Sequence, residues 1–233
     1  MREVYVNGRF LTQEMTGIQR FSYEICRALI ARGTGIIILA PGKTRPEYSL
    51  NCRVIRFGSF SGILWEQVDL PLFLLRHKNP LLVSFGSPGP VFYRNRIVTV
   101  HDLSFYLHPG WFSKSYYCYY RLVTPVFLRL SRKVITVSEF SKKEIMRLTG
   151  TREDKIAVIR NAVSPVMSGK QTGERHGGEK YILTVASMDP RKNLDRLIEA
   201  YGLAGIDRDV RLVLAGKADR IFDMKPSEEM KAS

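Results

Sequence analysis

The sequence is short of cysteine and of acid. Cys26, Cys52 and Cys118 are its three cysteines, an odd set without metal-ligand spacing. Neither a disulfide framework nor a metal site follows from them, and free thiols of a reducing cytoplasm are expected. No apolar run reaches the roughly 18 residues of a membrane span. The opening residues, MREVYVNGRF, lack the apolar core of a secretory signal. There is no internal repeat of fixed period, and no zinc-finger, RNA-recognition or basic-zipper signature.

What remains is an ordinary soluble composition, 45% hydrophobic and 25% charged over 233 residues, with one loud departure. Lys and Arg total 36 against 22 Asp and Glu, a net charge of +14. Nucleic acid, an anionic membrane surface or a phosphorylated substrate would each suit such a charge. The basic residues are dispersed, among them Arg53, Arg56, Arg76, Lys78, Arg94, Arg96, Arg129 and Lys142. Without a recognition signature this does not point to nucleic acid. It favours a membrane or phosphate-bearing lipid, with a solvated basic surface as the plain alternative.

Strand and helix patterns alternate, which predicts an α/β fold with a parallel sheet and crossover helices. Glu3–Val6, Gly35–Ala40, Val54–Phe57, Leu81–Ser84, Arg96–Val100, Lys133–Val137 and Ile156–Ile159 read as strands. The continuous run GIIILA suits a strand covered on both faces. Ile18–Ala31 and Glu139–Leu148 read as helices, the second with Ser138 as its N-cap. Ile63–Arg76 and Trp111–Leu130 read as helices kinked or split by Pro71 and Pro125. Gly8–Gly17 reads as a polar loop. Asn161–Glu179 is glycine-rich, polar and poor in apolar residues, so it reads as a linker. The expected organisation is a domain over 1–160, a linker over 161–179, and the start of a second domain over 180–233.

Three stretches carry chemistry. Thr16-Gly17-Ile18 opens a helix, where a glycine lets backbone N–H groups approach a phosphate; a plain strand-to-helix turn is the alternative. Val98-Thr99-Val100 runs into His101 and Asp102, and ligands of open α/β sheets collect at such strand ends. A histidine there can take a proton from a hydroxyl near neutral pH, and a neighbouring carboxylate can orient it. Pro190-Arg191-Lys192-Asn193 puts two cations at a helix start, suited to a departing diphosphate. Two lookalikes fall away. Gly42-Lys43-Thr44 ends like a phosphate-binding loop, but Ile37 stands where that pattern needs glycine. Asp207-Arg208-Asp209 is better explained as a polar turn.

The ordered set Thr16–Arg20, Leu64-Trp65-Glu66-Gln67, Val100–Ser104 with His108-Pro109, Val137–Lys142 and Asp189–Asn193 resembles the family 4 ("group 1") retaining glycosyltransferases of GT-B fold. It looks closest to the bacterial mannosyltransferase-like branch that builds surface polysaccharides. The resemblance implies two Rossmann-like domains, the first holding the acceptor and the second a nucleotide diphosphate sugar. It implies Gly17 near the donor phosphates, His101 near the transferred sugar, and Lys192 with Arg191 on the diphosphate. No metal and no cofactor other than the donor substrate are implied. The implied acceptor is lipid-linked or saccharide, in the cytoplasm, with the chain possible as a peripheral protein on the inner membrane face. A non-catalytic basic module that binds an anionic lipid carrier or membrane is the alternative.

The chain departs from the family in three places. Ala186-Ser187 replaces the usual Gly-Arg, and Asn161-Ala162 replaces Asn-Gly. The family's paired glutamates come well beyond the equivalent of Leu214, whereas the sequence ends at Ser233. A fragment with little activity alone is therefore expected, its second domain exposing Val185, Leu212 and Leu214 or an open sheet edge. Limited proteolysis should cut first within 161–179 and leave a resistant N-terminal core; resistance throughout the second half contradicts the fragment expectation.

Overall fold

A computed structural model of the protein describes residues 4–162, 180–187, 190–207 and 209–216. The expected linker beyond Ala162 and the polar tail from Lys217 lie outside them, as do Met188 and Asp189. The chain divides into two compact units. One comprises Met1–Leu103 and Arg121–Met167, the other Ser104–Tyr120 and Ser168–Ser233.

The first unit is built on seven strands: β1 (Val4–Asn7), β2 (Ile36–Ala40), β3 (Arg53–Arg56), β4 (Leu82–Ser84), β5 (Arg96–Thr99), β6 (Lys133–Thr136) and β7 (Ile156–Val158). Their order is β3-β2-β1-β4-β5-β6-β7. Every neighbouring pair is parallel, as the alternation predicted. Each of the five β2 residues is buried, which explains the unbroken apolar run. The order reverses between β1 and β4, so the crevice at their carboxyl ends is where an open α/β sheet takes a ligand.

Helices α1 (Gly17–Ala31), α2 (Gly62–Leu64), α3 (Leu70–Arg76), α4 (Ser104–Leu107), α5 (Lys114–Leu130) and α6 (Glu139–Thr149) connect the strands. The α6 ends are set locally. Ser138 Oγ accepts the Ser141 N–H at 3.0 Å, and Gly150 closes the helix at φ 66°.

Three expectations need correction. Gly8–Thr12 is a 3₁₀ turn that buries Phe10 and Leu11, so it is not simply a polar loop. Asn7 starts this turn by accepting the Arg9 N–H. Pro71 does not split its helix: Trp65–Asp69 forms a π-helical turn, with the Leu70 N–H reaching the Trp65 carbonyl, and Pro71 sits in the first turn of α3. A proline is tolerated there because it need not donate. Pro125 lies inside an unbroken α5. It and Arg121, whose carbonyl loses a donor, are on the exposed side, where solvent can substitute.

A fourth correction concerns Arg96, counted above among dispersed basic residues. It is fully buried. Its Nε donates to Ser131 Oγ at 2.9 Å and its Nη2 to the Val91 and Phe127 carbonyls at 2.7 and 3.2 Å. Nη1 donates to the Pro90 carbonyl and, at 3.4 Å, to that of Pro88. One guanidinium thus ties the loop after β4 to the end of α5. Burial pulls its pKa down to about 10, opposed by the charge of Glu66.

The second unit has β8 (Lys180–Val185) paired in parallel with β9 (Val210–Ala215), and α7 (Leu194–Leu203). Val185 is 76% exposed as expected, and Ile182, Leu183 and Val213 are also exposed. Leu212 and Leu214 are half-buried instead, because alternation along β9 turns them to its more covered side. Among the described residues no helix is long and apolar enough to cross a membrane.

Replacing Arg96 by methionine removes the donors for four loop and helix carbonyls. Urea denaturation should show a loss of about 3 kcal/mol. A loss below about 1 kcal/mol would mean that the loop holds itself.

Candidate functional site

The carboxyl edge of the sheet gathers the loop 85–91, the first turns of α1 and the loop after β5. Gly86 shows how close they are, since a Cβ there would lie 2.9 Å from Ser22 Oγ and 3.4 Å from Ile18 Cγ2, both on α1. His101 follows β5 by two residues. Its Nε2 lies 3.0 Å from the Phe85 carbonyl, and Phe21 of α1 meets its ring edge-on at 4.9 Å. Its own carbonyl accepts from Ser141 Oγ at 3.0 Å. Two contacts therefore hold the ring, and a third holds the backbone that carries it.

This geometry assigns the tautomer. A carbonyl only accepts, so Nε2 carries the proton and the lone pair of the neutral ring sits on Nδ1. Burial lowers the pKa below its ordinary 6.5, while the Phe85 hydrogen bond and then the Asp102 charge oppose the shift. Asp102 is exposed and acts on the ring through charge; the orienting hydrogen bond comes from Phe85. The result is a neutral histidine at pH 7 with a basic nitrogen available.

Gly17 begins α1 and is exposed, and a Cβ added to it would meet nothing within 4 Å. Thr16 is extended and its side chain does not cap the helix. The approach to this helix end is thus open. Phe21, one turn further along α1, is the contact that joins this helix to His101.

In the second unit, Arg191 and Lys192 occupy a 3₁₀ turn, Pro190–Lys192, just ahead of α7. Both are exposed. Asn193 follows in the left-handed region at φ 52°, a conformation that asparagine tolerates better than most residues. Within that unit Arg191 Nη1 lies 3.5 Å from Ser104 Oγ. The first unit brings Gly17, His101 and Asp102 to one sheet edge; Arg191 and Lys192 form a separate pair in the second.

A buried polar network went unseen in the sequence reading. Glu66, 1% exposed, sits in the π-helical turn. Its Oε1 accepts from Asn7 Nδ2 at 2.6 Å and from Ser87 Oγ. Its Oε2 pairs with Arg9 Nη1 at 3.0 Å. Asn7 Nδ2 also reaches Ser84 and Ser87 at 3.3 and 3.2 Å. Gln67 donates to the Gly89 carbonyl at 3.0 Å and accepts the Val91 N–H at 2.9 Å. Two consecutive residues of one turn therefore pin the loop that presents Phe85 to His101. The available signals were Glu66-Gln67 within a mostly apolar helix, and an arginine opening the apolar strand β5. Among the described residues no group of three or more His, Cys, Asp or Glu could hold a metal ion.

Comparison with known proteins adds to this geometry. Residues 15–166 match the family described as Glycosyltransferase Family 4. The O-antigen chain mannosyltransferase B of Escherichia coli is 29% identical over 235 residues, 87% of this chain and 61% of that protein. The O-antigen chain mannosyltransferase RfbU of Salmonella typhimurium is 28% identical over 126 residues, 54% of this chain and 34% of that protein. The crystal structure of WaaG, a glycosyltransferase involved in lipopolysaccharide biosynthesis, matches with a TM-score of 0.60 at 15% identity, over 93% of this chain and 64% of that one. That likeness bears on the fold and agrees with an α/β architecture of GT-B type. The chain spans about three fifths of the length of the first relative.

The buried histidine has a consequence for stability. Below pH 6.5 the unfolded chain protonates this ring while the folded chain refuses the proton until a lower pH. The unfolded state then binds more protons, so stability falls as pH falls through that window. His101→Gln should flatten this slope in urea midpoints measured from pH 7.5 to 5.5; parallel profiles for the two proteins would contradict the assignment.

Proposed function

The chain belongs to glycosyltransferase family 4, and from that premise we propose that it serves the transfer of a hexose, mannose first among candidates, from a nucleotide diphosphate sugar to a lipid-linked or saccharide acceptor during surface polysaccharide synthesis. The observation that carries the reading is His101, held neutral and fixed at a strand end within the matched segment. The likeness to two O-antigen chain mannosyltransferases supports the choice of sugar.

In this proposal the anomeric C–O bond to the diphosphate breaks and the acceptor oxygen bonds to the same carbon from the same face, so configuration is retained. The acceptor hydroxyl proton passes to a phosphate oxygen of the departing nucleoside diphosphate. His101, neutral and rigid, borders the sugar, and its Nδ1 is the alternative proton acceptor. Lys192 and Arg191 offset the charge that develops on the leaving diphosphate, and Gly17 leaves room for a phosphate at the start of α1. The proposal uses no metal. Positioning and charge stabilisation carry the rate. We place the reaction in the cytoplasm, on the inner face of the membrane.

Thermal unfolding of the chain with a panel of nucleotides and nucleotide sugars tests the donor half of this reading. A ligand at about a hundredfold excess over its Kd stabilises the native state by roughly 2.7 kcal/mol. One nucleotide series should raise Tm, and Lys192→Ala should abolish the shift while melting at the unliganded wild-type temperature. A cooperative melt that no nucleotide moves would contradict donor binding by this chain.

A further inference from the structure

The turn after β1 holds a cation whose hydrogen-bonding capacity the fold does not use up. Gly8 lets this turn lie on β2, since a Cβ there would stand 2.6 Å from the Leu39 carbonyl oxygen. The Arg9 N–H donates to Asn7 Oδ1 at 3.2 Å, and the Arg9 carbonyl accepts from Thr12 Oγ1 at 2.8 Å. Its backbone is thus fixed on both sides. The Arg9 side chain is 15% exposed, and among the described residues only Glu66 receives it, from Nη1 at 3.0 Å. A guanidinium carries five N–H donors in a rigid fork. Nε, Nη2 and the second hydrogen of Nη1 are left over.

Its neighbours are already satisfied. Glu66 accepts from Asn7, Ser87 and Arg9, and Asn7 Nδ2 donates to Glu66, Ser84 and Ser87. Ser87 gives its one hydrogen to Glu66, so toward a ligand the half-buried Ser87 hydroxyl can only accept. The formal charges of Arg9 and Glu66 cancel, and Asn7, Ser84 and Ser87 are neutral. The cluster stands where β1 and β4 end and the strand order reverses, which is where an open α/β sheet takes a ligand. Phe85, the acceptor for His101, is two residues from Ser87, at most about 7 Å along the chain. The cluster and the His101 ring therefore flank one short stretch of loop. Stability alone is a weak reason to keep a buried ion pair, because apolar side chains of similar volume often do as well.

We propose that Arg9 and Ser87 bind two adjacent hydroxyls of the acceptor, a neutral hexose saccharide, beside His101. The Arg9 fork donates to the two sugar oxygens, and one of these hydroxyls donates to Ser87 Oγ. A cluster without net charge but with fixed, unspent donors suits a polyol. It suits a phosphate or carboxylate less, because Glu66 already offsets the cation. Glu66 is then a positioning residue that aims the fork. A site built to hydrogen-bond a hydroxyl leaves its own groups unpaired when that hydroxyl is missing, so it discriminates among sugars. The inference rests on the acceptor side of the proposed transfer and not on donor binding.

NMR titration of the full chain with neutral oligosaccharides of mannose, glucose and galactose tests it. The readouts are the Arg9 Nε–H signal and saturation transfer from protein to sugar. At least one series should move the signal, and removing one sugar hydroxyl should weaken binding at least about tenfold. Arg9→Lys keeps a cation for Glu66 but not the fork, so it should bind at least about tenfold more weakly and leave the His101 ¹⁵N signals at their wild-type positions. Arg9→Met/Glu66→Gln leaves no buried charge alone; it should still melt cooperatively and lose the binding. No response to any series, tighter binding of inorganic phosphate or of an acidic saccharide at the same signal, or undiminished binding by Arg9→Lys would overturn the proposal. So would a loss in Arg9→Lys that comes with displaced His101 signals, because Arg9 would then act through the loop. The nucleotide-induced Tm shift separates this inference from the donor reading. A retained shift without saccharide binding sinks the inference alone, and saccharide binding without a shift sinks donor binding alone.

Discussion

The loop from Ser84 to Val91 crosses the crevice where the strand order reverses, and two buried charges keep it there. Arg96 supplies N–H donors to its carbonyls from the β5 side, while Glu66, through Asn7 and Ser87, holds it from the β1 side. A loop with two prolines and two glycines in SPGP and its flanks has few ladder bonds of its own, so its buried polar groups must find partners elsewhere. Each ion is costly to bury alone. At the Arg96 guanidinium the charge of Glu66 works against the larger effect of burial. Phe85 is therefore a fixed acceptor for His101, and Gly86 permits the close approach of α1.

Much of the fold was legible because it depends on local pattern. The apolar runs of β2 and β5, the Ser138 cap and the helical period of α1 are properties of neighbouring residues, and they gave the parallel α/β sheet. The misreadings share a cause. Whether Pro125 breaks a helix depends on which side of that helix faces solvent. Whether Pro71 splits one depends on a π turn that tertiary packing around Trp65 sustains. The burial of Phe10, Leu11 and Arg96 is set by strands distant in sequence.

The candidate site divides the same way. A histidine at a strand end is visible in one line of sequence. Its acceptor, sixteen residues earlier, and the carboxylate that holds the acceptor's loop are visible only once the sheet is assembled. Glu66 and Gln67 stood out as part of a resemblance, without a role. The structure gives them one that is mechanical: they position the loop. Arg191 and Lys192 remain a property of the second unit, and their assignment to a diphosphate is chemical rather than geometric.

The account turns on the state of the His101 ring, because its neutrality and tautomer decide which atom is basic. Two-dimensional ¹⁵N NMR of the imidazole, followed through a pH titration, reads both directly. The structure predicts a proton on Nε2, an unprotonated Nδ1 at pH 7, and titration below 6.5. A proton on Nδ1 in the neutral ring, or titration at or above 6.5, would contradict it.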